Sequence, residues 1–371
     1  MSTDKSIGTQ SLKMDDGKKK KVAKKFRIGM IGCGGIAQVH MEAYAEMPEV
    51  EVVACCDIVQ ARLDTMREKW GVGKGYINWK DMLKKEDLDA VDVCSPNGVH
   101  CAPVVDACNA GLHAMVEKPM AMNPAECEKM IAAAKKSNVK LAVGFQYRYN
   151  PKTEFLKNAA KKGILGDIMV VKCTALRRRG IPNWGVFGQK ELQGGGPMID
   201  IGVHILETAH CLMGEPRPVA ASGNVWTFMG NKKSDVTCPW PGWDYKTYTV
   251  EDLAIGQIRF ENGAVLQIES SFVNHIENDE MNIEIRGTKG GGSWSPIKLF
   301  EDRAGAMVNT VPNYLPEPTW TTAFVAKLTN WVNACTKGTP LAAPGEEGLM
   351  VQKMLDGIYR SAEAGKEVVI D

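Results

Sequence analysis

No stretch of this 371-residue chain approaches the about 20 consecutive apolar residues that a membrane-spanning helix requires. The N-terminus lacks the apolar core of a secretory signal. No CxxC pair occurs among the eleven cysteines, and their number is odd. Most lie inside apolar runs, such as Cys55-Cys56 after Val52-Val53 and Cys94 after Val93. That argues against a disulfide or zinc framework and for reduced thiols acting as small hydrophobes in a cytoplasmic enzyme, with no metal site. An excess of either charge is missing too. The net charge is +1, but residues 1–25 hold eight Lys against three Asp, so the rest of the chain is mildly acidic. An acidic body excludes the footprint of a nucleic-acid binder. The Lys18–Lys21 run, in a segment with almost no apolar content, reads as part of a disordered basic arm over residues 1–25.

A hydrophobic content of 44% and a charged content of 24% are ordinary for a soluble globular protein. The length suggests two domains. Between Arg27 and Val143, short apolar runs alternate with segments of helical length. The runs are Arg27–Ile31, Glu51–Cys56, Ala90–Cys94, His113–Val116 and Lys140–Val143. This rhythm predicts βαβ units and a doubly wound parallel sheet. Ligands of such sheets bind beyond the strands' carboxyl ends, here at Gly32, Asp57, Ser95 and Glu117.

Gly32-Cys33-Gly34-Gly35-Ile36-Ala37 follows the first run and opens a helix. This is G-x-G-x-x-A, a dinucleotide fingerprint. Gly32 allows the tight turn, Gly34 lets the backbone approach a pyrophosphate, and Ala37 keeps helix and sheet close. The helix N-terminus offers N–H groups to the phosphates. Asp57 ends the second run, placed to accept both hydroxyls of an adenosine ribose and to repel a 2′-phosphate. No Arg or Lys adjoins it, so NAD is favoured over NADP; Arg62, one helical turn on, is the residue able to offset this.

Glu117-Lys118-Pro119 puts a charged pair at a strand end, where burial is costly unless a site or partners receive it. Gly194-Gly195-Gly196 precedes a helix on which Asp200 and His204, four apart, share a face. A carboxylate beside an imidazole fixes its tautomer and raises its pKa. The plainer alternatives are a solvated loop pair for Glu117 and Lys118 and a core histidine for His204.

With Gly144-Phe145-Gln146-Tyr147-Arg148-Tyr149-Asn150-Pro151, these motifs resemble the glucose–fructose oxidoreductase, inositol dehydrogenase and rhizopine-catabolism oxidoreductases over residues 26–371. The resemblance implies an NAD(P)-dependent dehydrogenase of a sugar, glycoside or cyclitol. Its Rossmann domain spans residues 26–146. A substrate-binding and oligomerisation α+β domain with an open, mostly antiparallel sheet spans residues 147–371. It further implies catalytic roles for Lys118, Asp200 and His204. Cofactor contacts are expected from Gly32, Gly34, Gly35, Ile36, Ala37, Asp57, Ser95, Asn97, His100, Glu117, Lys118 and Gln146. Substrate contacts are expected from Lys118, Tyr147, Arg148, Arg177, Trp184, Asp200 and His204. Two irregular, aromatic segments, 177–193 and 230–248, suit a sugar ring and an aglycone. The first expectation is therefore oxidation of a secondary hydroxyl, the 3-hydroxyl of a glucoside foremost, in a cytoplasmic homo-oligomer. The alternatives are an inositol dehydrogenase, a glycosidase that retains its NAD, and a non-enzymatic sugar sensor.

Overall fold

The computed structural model describes residues 24–317 and 319–371. The expected basic arm lies outside the described residues as far as residue 23.

The first sheet is built from β1 (Phe26–Ile31), β2 (Val50–Cys56), β3 (Lys74–Tyr76), β4 (Ala90–Val93), β5 (His113–Val116) and β6 (Leu141–Val143). All pairs are parallel, in the order β3-β2-β1-β4-β5-β6. The order reverses between β1 and β4, the crevice where this architecture takes a dinucleotide. The connections carry α1 (Gly35–Ala45), α2 (Gln60–Trp70), α3 (Trp79–Lys85), α4 (Cys101–Asn109) and α5 (Pro124–Lys136). Local chemistry sets their starts. Asn123 Oδ1 accepts from the N–H of Glu126, and Pro124 fills the first turn of α5, where its missing N–H costs nothing.

The second half begins with α6 (Pro151–Lys161), capped by Asn150. Then come β7 (Ile168–Leu176), the short α7 (Lys190–Gln193), a π-helical turn over Met198–Gly202, and α8 (Val203–Leu212). The strands β8 (Pro218–Trp226), β9 (Leu253–Phe260), β10 (Val265–Ser271), β11 (Glu280–Gly287), β12 (Gly290–Trp294), β13 (Ile297–Arg303) and β14 (Ala306–Thr310) follow. The chain closes with α9 (Trp320–Lys337), α10 (Gly345–Ala364) and β15 (Val368–Val369). The second sheet has nine strands, antiparallel except for the parallel pair β7–β10. Its β9–β10 hairpin turns on Asn262-Gly263, with Gly263 at φ +84°.

One helix crosses the division expected at residue 147. Phe324, Leu328, Trp331 and Val332 of α9 are buried against Phe26, Ile28 and Met30 of β1. Side chains of this size contribute about 1.5–3 kcal/mol each when buried. A segment from late in the chain thus completes the core of the first sheet.

Candidate active site

The phosphate turn is shaped by what it cannot hold. Gly32 sits at φ +90°, and a Cβ there would meet the Cys94 carbonyl and Ser95 nitrogen at 2.7 Å. Only glycine fits. Beyond Gly34 and Gly35 nothing lies within 4 Å of where a Cβ would stand, so the turn faces open space. No side chain caps the start of α1, which leaves its first N–H groups for a ligand. Ala37 is fully buried, and Ile36 packs against the same core. The Asp57 carboxylate accepts from the N–H groups of Cys33 and Val59, both at 2.8 Å. Each oxygen keeps lone-pair capacity for a ribose hydroxyl. Arg62 Nη1 stands 4.0 Å from it, more than half exposed. These features fit a dinucleotide, with the cation already paired to the acid that disfavours a 2′-phosphate.

Other expected cofactor residues follow the ends of β4, β5 and β6. Ser95 Oγ turns back toward the Val99 carbonyl at 3.5 Å. Asn97 is buried and donates to the Gln193 carbonyl at 2.9 Å, tying the β4 loop to the glycine-rich turn of the second half. Gln146 is buried with Oε1 unpartnered among the described residues. His100 departs from expectation. It is fully buried, with its ring nitrogens 3.0 and 2.8 Å from the carbonyls of Pro119 and Ser95, so it braces two strand-end loops. Glu117 departs likewise. It is turned inward onto His40 and Lys327, at 3.0 and 2.6 Å.

Lys118 Nζ donates to the Asp200 carbonyl at 2.7 Å and to its Oδ1 at 3.1 Å. Both side chains are nearly buried at the seam of the two halves. The expected Asp200–His204 couple is therefore absent. The ammonium holds the carboxylate, and no hydrogen bond joins it to His204 among the described residues. Asp200 sits in the π-helical turn, a distortion frequent at functional sites. His204 is buried, stacked on Tyr147 at 5.0 Å, with Nδ1 unpartnered among the described residues. Its pKa is held well below the ordinary imidazole value, first by burial and then by the charge of Lys118. The expectation of a raised pKa is thus reversed: His204 is a neutral imidazole whose Nδ1 is buried without a partner among the described residues.

On the substrate side, Arg177 donates to the Gly180 carbonyl at 3.0 Å, and its guanidinium lies 4.8 Å from the Trp240 ring. Trp184 meets Trp240 edge-on at 4.9 Å and is half exposed. Trp243 is instead a pin, buried, with Nε1 donating to the Gly230 carbonyl. Arg148 lies away from this cluster. It is buried and bonded to Glu207, Glu215, Glu347 and the Ala342 carbonyl, a set that satisfies it structurally.

Two groups escaped the sequence. Glu251 accepts from the N–H of Gly196 and Met198 and from Tyr359 Oη, so it anchors the turn that carries Asp200. Its signal was the Glu251-Asp252 pair opening a buried strand. Lys327 is 2% exposed. Its signal was a lone Lys within the stripe Phe324, Leu328, Trp331 at helical spacing.

Residues 26–145 match the family model described as "Oxidoreductase family, NAD-binding Rossmann fold". Residues 157–370 match "Oxidoreductase family, C-terminal alpha/beta domain". The chain is 35% identical to the D-glucoside 3-dehydrogenase of Escherichia coli (strain K12), across 92% of this chain and 97% of that one. It is 27% identical to the myo-inositol 2-dehydrogenase of Thermotoga maritima, across 93% and 99%. In fold it resembles levoglucosan dehydrogenase solved with NADH, with a TM-score of 0.82 at 22% identity over 94% of this chain and 100% of that one. With both halves matched in order, this chain belongs to the NAD-binding oxidoreductase family that includes the glucoside and inositol dehydrogenases.

Proposed function

We propose that this protein is an NAD-dependent dehydrogenase that oxidises a secondary hydroxyl of a glucoside, the 3-hydroxyl foremost. The observation that carries the reading is the neutral, buried His204 beside an ammonium fixed by Asp200, at the strand end next to the dinucleotide turn. The 35% identity to a glucoside 3-dehydrogenase supports the substrate class.

Bound NAD supplies the hydride acceptor. The chain's residues do the rest. His204, as a neutral imidazole, takes the hydroxyl proton as general base. Lys118 donates to the reacting oxygen and stabilises its developing charge. Asp200 holds Lys118 in place through two contacts. Tyr147, stacked on the imidazole, fixes its plane and excludes water. Trp184 and Trp240 offer rings to an aglycone.

Alkyl and aryl glucosides, free hexoses and myo-inositol, each supplied with NAD and followed by NADH absorbance, test the reading. Glucosides should be the best substrates, with the 3-keto product identified by NMR. Turnover of myo-inositol alone would move the assignment to the cyclitol class. We further propose a homo-oligomer formed on the outer face of the second sheet. Lys172, Gln267 and Gln257 are register partners there, with Ile255 and Phe300 exposed. A monomer by light scattering would refute it.

A further inference from the structure

Beneath Lys118 lies a closed ionic cluster with no part in the reaction as described so far. His40 and Tyr44 of α1, Asp92 and Cys94 at the end of β4, Glu117 after β5 and Lys327 of α9 meet there. His40, Asp92 and Lys327 are at most 2% exposed. His40 Nδ1 is 2.6 Å from Asp92 Oδ2, and Tyr44 donates to the same oxygen at 2.7 Å. Glu117 Oε1 lies 3.0 Å from His40 Nε2 and accepts from Lys327 Nζ at 2.6 Å. The other oxygen, Oε2, accepts from the backbone N–H of Lys118 at 3.2 Å. Gly144 closes the far side, since a Cβ there would stand 2.4 Å from Oε1. The Glu117 carboxylate is therefore seated in a socket, and its rim is the backbone of Lys118.

The socket needs a cation. A buried carboxylate without one is strongly disfavoured. His40, Asp92 and Cys94 are spaced to suit a metal ion. The Lys327 ammonium, 3.0 Å from His40 Nε2, already supplies positive charge at that point. Burial opposes ionisation of Glu117, yet Lys327 and His40 hold its carboxyl well below the usual range.

We propose that Lys327 is a positioning residue for the reaction. It reaches from α9 into the first sheet, seats Glu117, and so fixes Lys118 and balances the buried carboxylate bonded to its backbone. The charges that face His204 come from several elements: Lys118, Glu117, Lys327 and Arg177, with Lys118 lowering and Glu117 raising its affinity for a proton. Asp200 is bound to Lys118, and Tyr147 lies against the ring. Lys327 itself is faced by His40, Glu117 and the Phe324 ring, with Cys94 near enough to feel its charge. Removing its charge leaves His40 as the remaining support of the Glu117 carboxylate and favours protonation of His204. Removing the Glu117 charge does the reverse.

The kinetic half of the test rests on the dehydrogenase reading; the other half does not. Lys327→Met, Lys327→Arg and Glu117→Gln are compared with the wild-type chain. The proton affinity of His204 is read from the pH dependence of deuterium exchange at its ring C2, by mass spectrometry on the protein without ligand. In parallel, kcat and KM are measured with methyl β-D-glucoside and NAD. Lys327→Met should raise the His204 midpoint by about one pH unit. It should lower kcat on the order of 10²-fold, as misplaced catalytic groups do, with KM for NAD unchanged. Lys327→Arg should keep both near wild type, and Glu117→Gln should move the midpoint the opposite way. If Lys327→Met does not fold, the direction of the Glu117→Gln shift decides. A wild-type chain that oxidises no glucoside would refute the function and leave the exchange result standing. Unmoved midpoints in whichever variants fold, with only a lower melting temperature, would overturn the role of Lys327.

Discussion

At the scale of single residues, the proposed site divides into groups assigned to the reaction and groups that hold them. His204→Ala and Lys118→Ala should each cut turnover by about two to four orders of magnitude, the span of a general acid–base group. NAD binding, followed by fluorescence titration, should stay intact, because neither residue belongs to the phosphate turn. The depressed proton affinity of His204 carries a sign. Its folded pKa lies below the unfolded value near 6.5, so the folded state refuses a proton that the unfolded chain accepts. Stability from this residue is full above about pH 6.5 and falls as the pH drops below it. His204→Gln should flatten that slope in melts taken from neutral into acid pH. Asp57→Ala should cost NAD more efficiency than NADP. It removes the ribose acceptor and frees Arg62, now 4.0 Å away, to meet a 2′-phosphate. Greater loss with NADP would refute the cofactor argument.

At the scale of elements, the motifs legible in the sequence were those whose chemistry is local. The glycines of the phosphate turn, the acid after β2 and the Asn-Gly hairpin each state their geometry within a few residues. The runs Glu51–Cys56, Ala90–Cys94 and His113–Val116 fall on strands as their patterns predict. The three-residue β3 was too short to show alternation. Misassigned roles had another cause. The spacing of Asp200 and His204 predicts a shared face, but nothing in that spacing shows that Lys118, 82 positions away, takes the carboxylate. Arg148 sits beside Tyr147 in sequence, yet three glutamates from later elements claim it. The turn that presents Asp200 depends on such a distant partner, Glu251. Glu251→Ala should cost about 1–3 kcal/mol through orphaned N–H groups. It should also lower kcat more than it raises KM for NAD, which a merely unstable variant would not do.

At the scale of the whole molecule, long-range polar contacts tie distant segments of the chain together. Arg148, just past β6, binds Glu207 of α8, Glu215 after it and Glu347 of α10. Burial, opposed by Arg148, pushes the Glu347 carboxyl up to about 7. Its folded pKa thus exceeds the unfolded one. Its stabilisation is full below pH 4.5 and is lost as the pH rises toward 7, at no more than about 1.4 kcal/mol per pH unit for one proton. Glu347→Gln should remove that slope in denaturant titrations across the window. The central claim is the proposed placement of one substrate hydroxyl between His204, Lys118 and the cofactor crevice. Methyl β-D-glucoside deuterated at C3, turned over with NAD, tests it most directly. The account predicts that the deuterium appears in the reduced nicotinamide and that the label slows the chemical step. Deuterium retained at C3 of the oxidised product would contradict it.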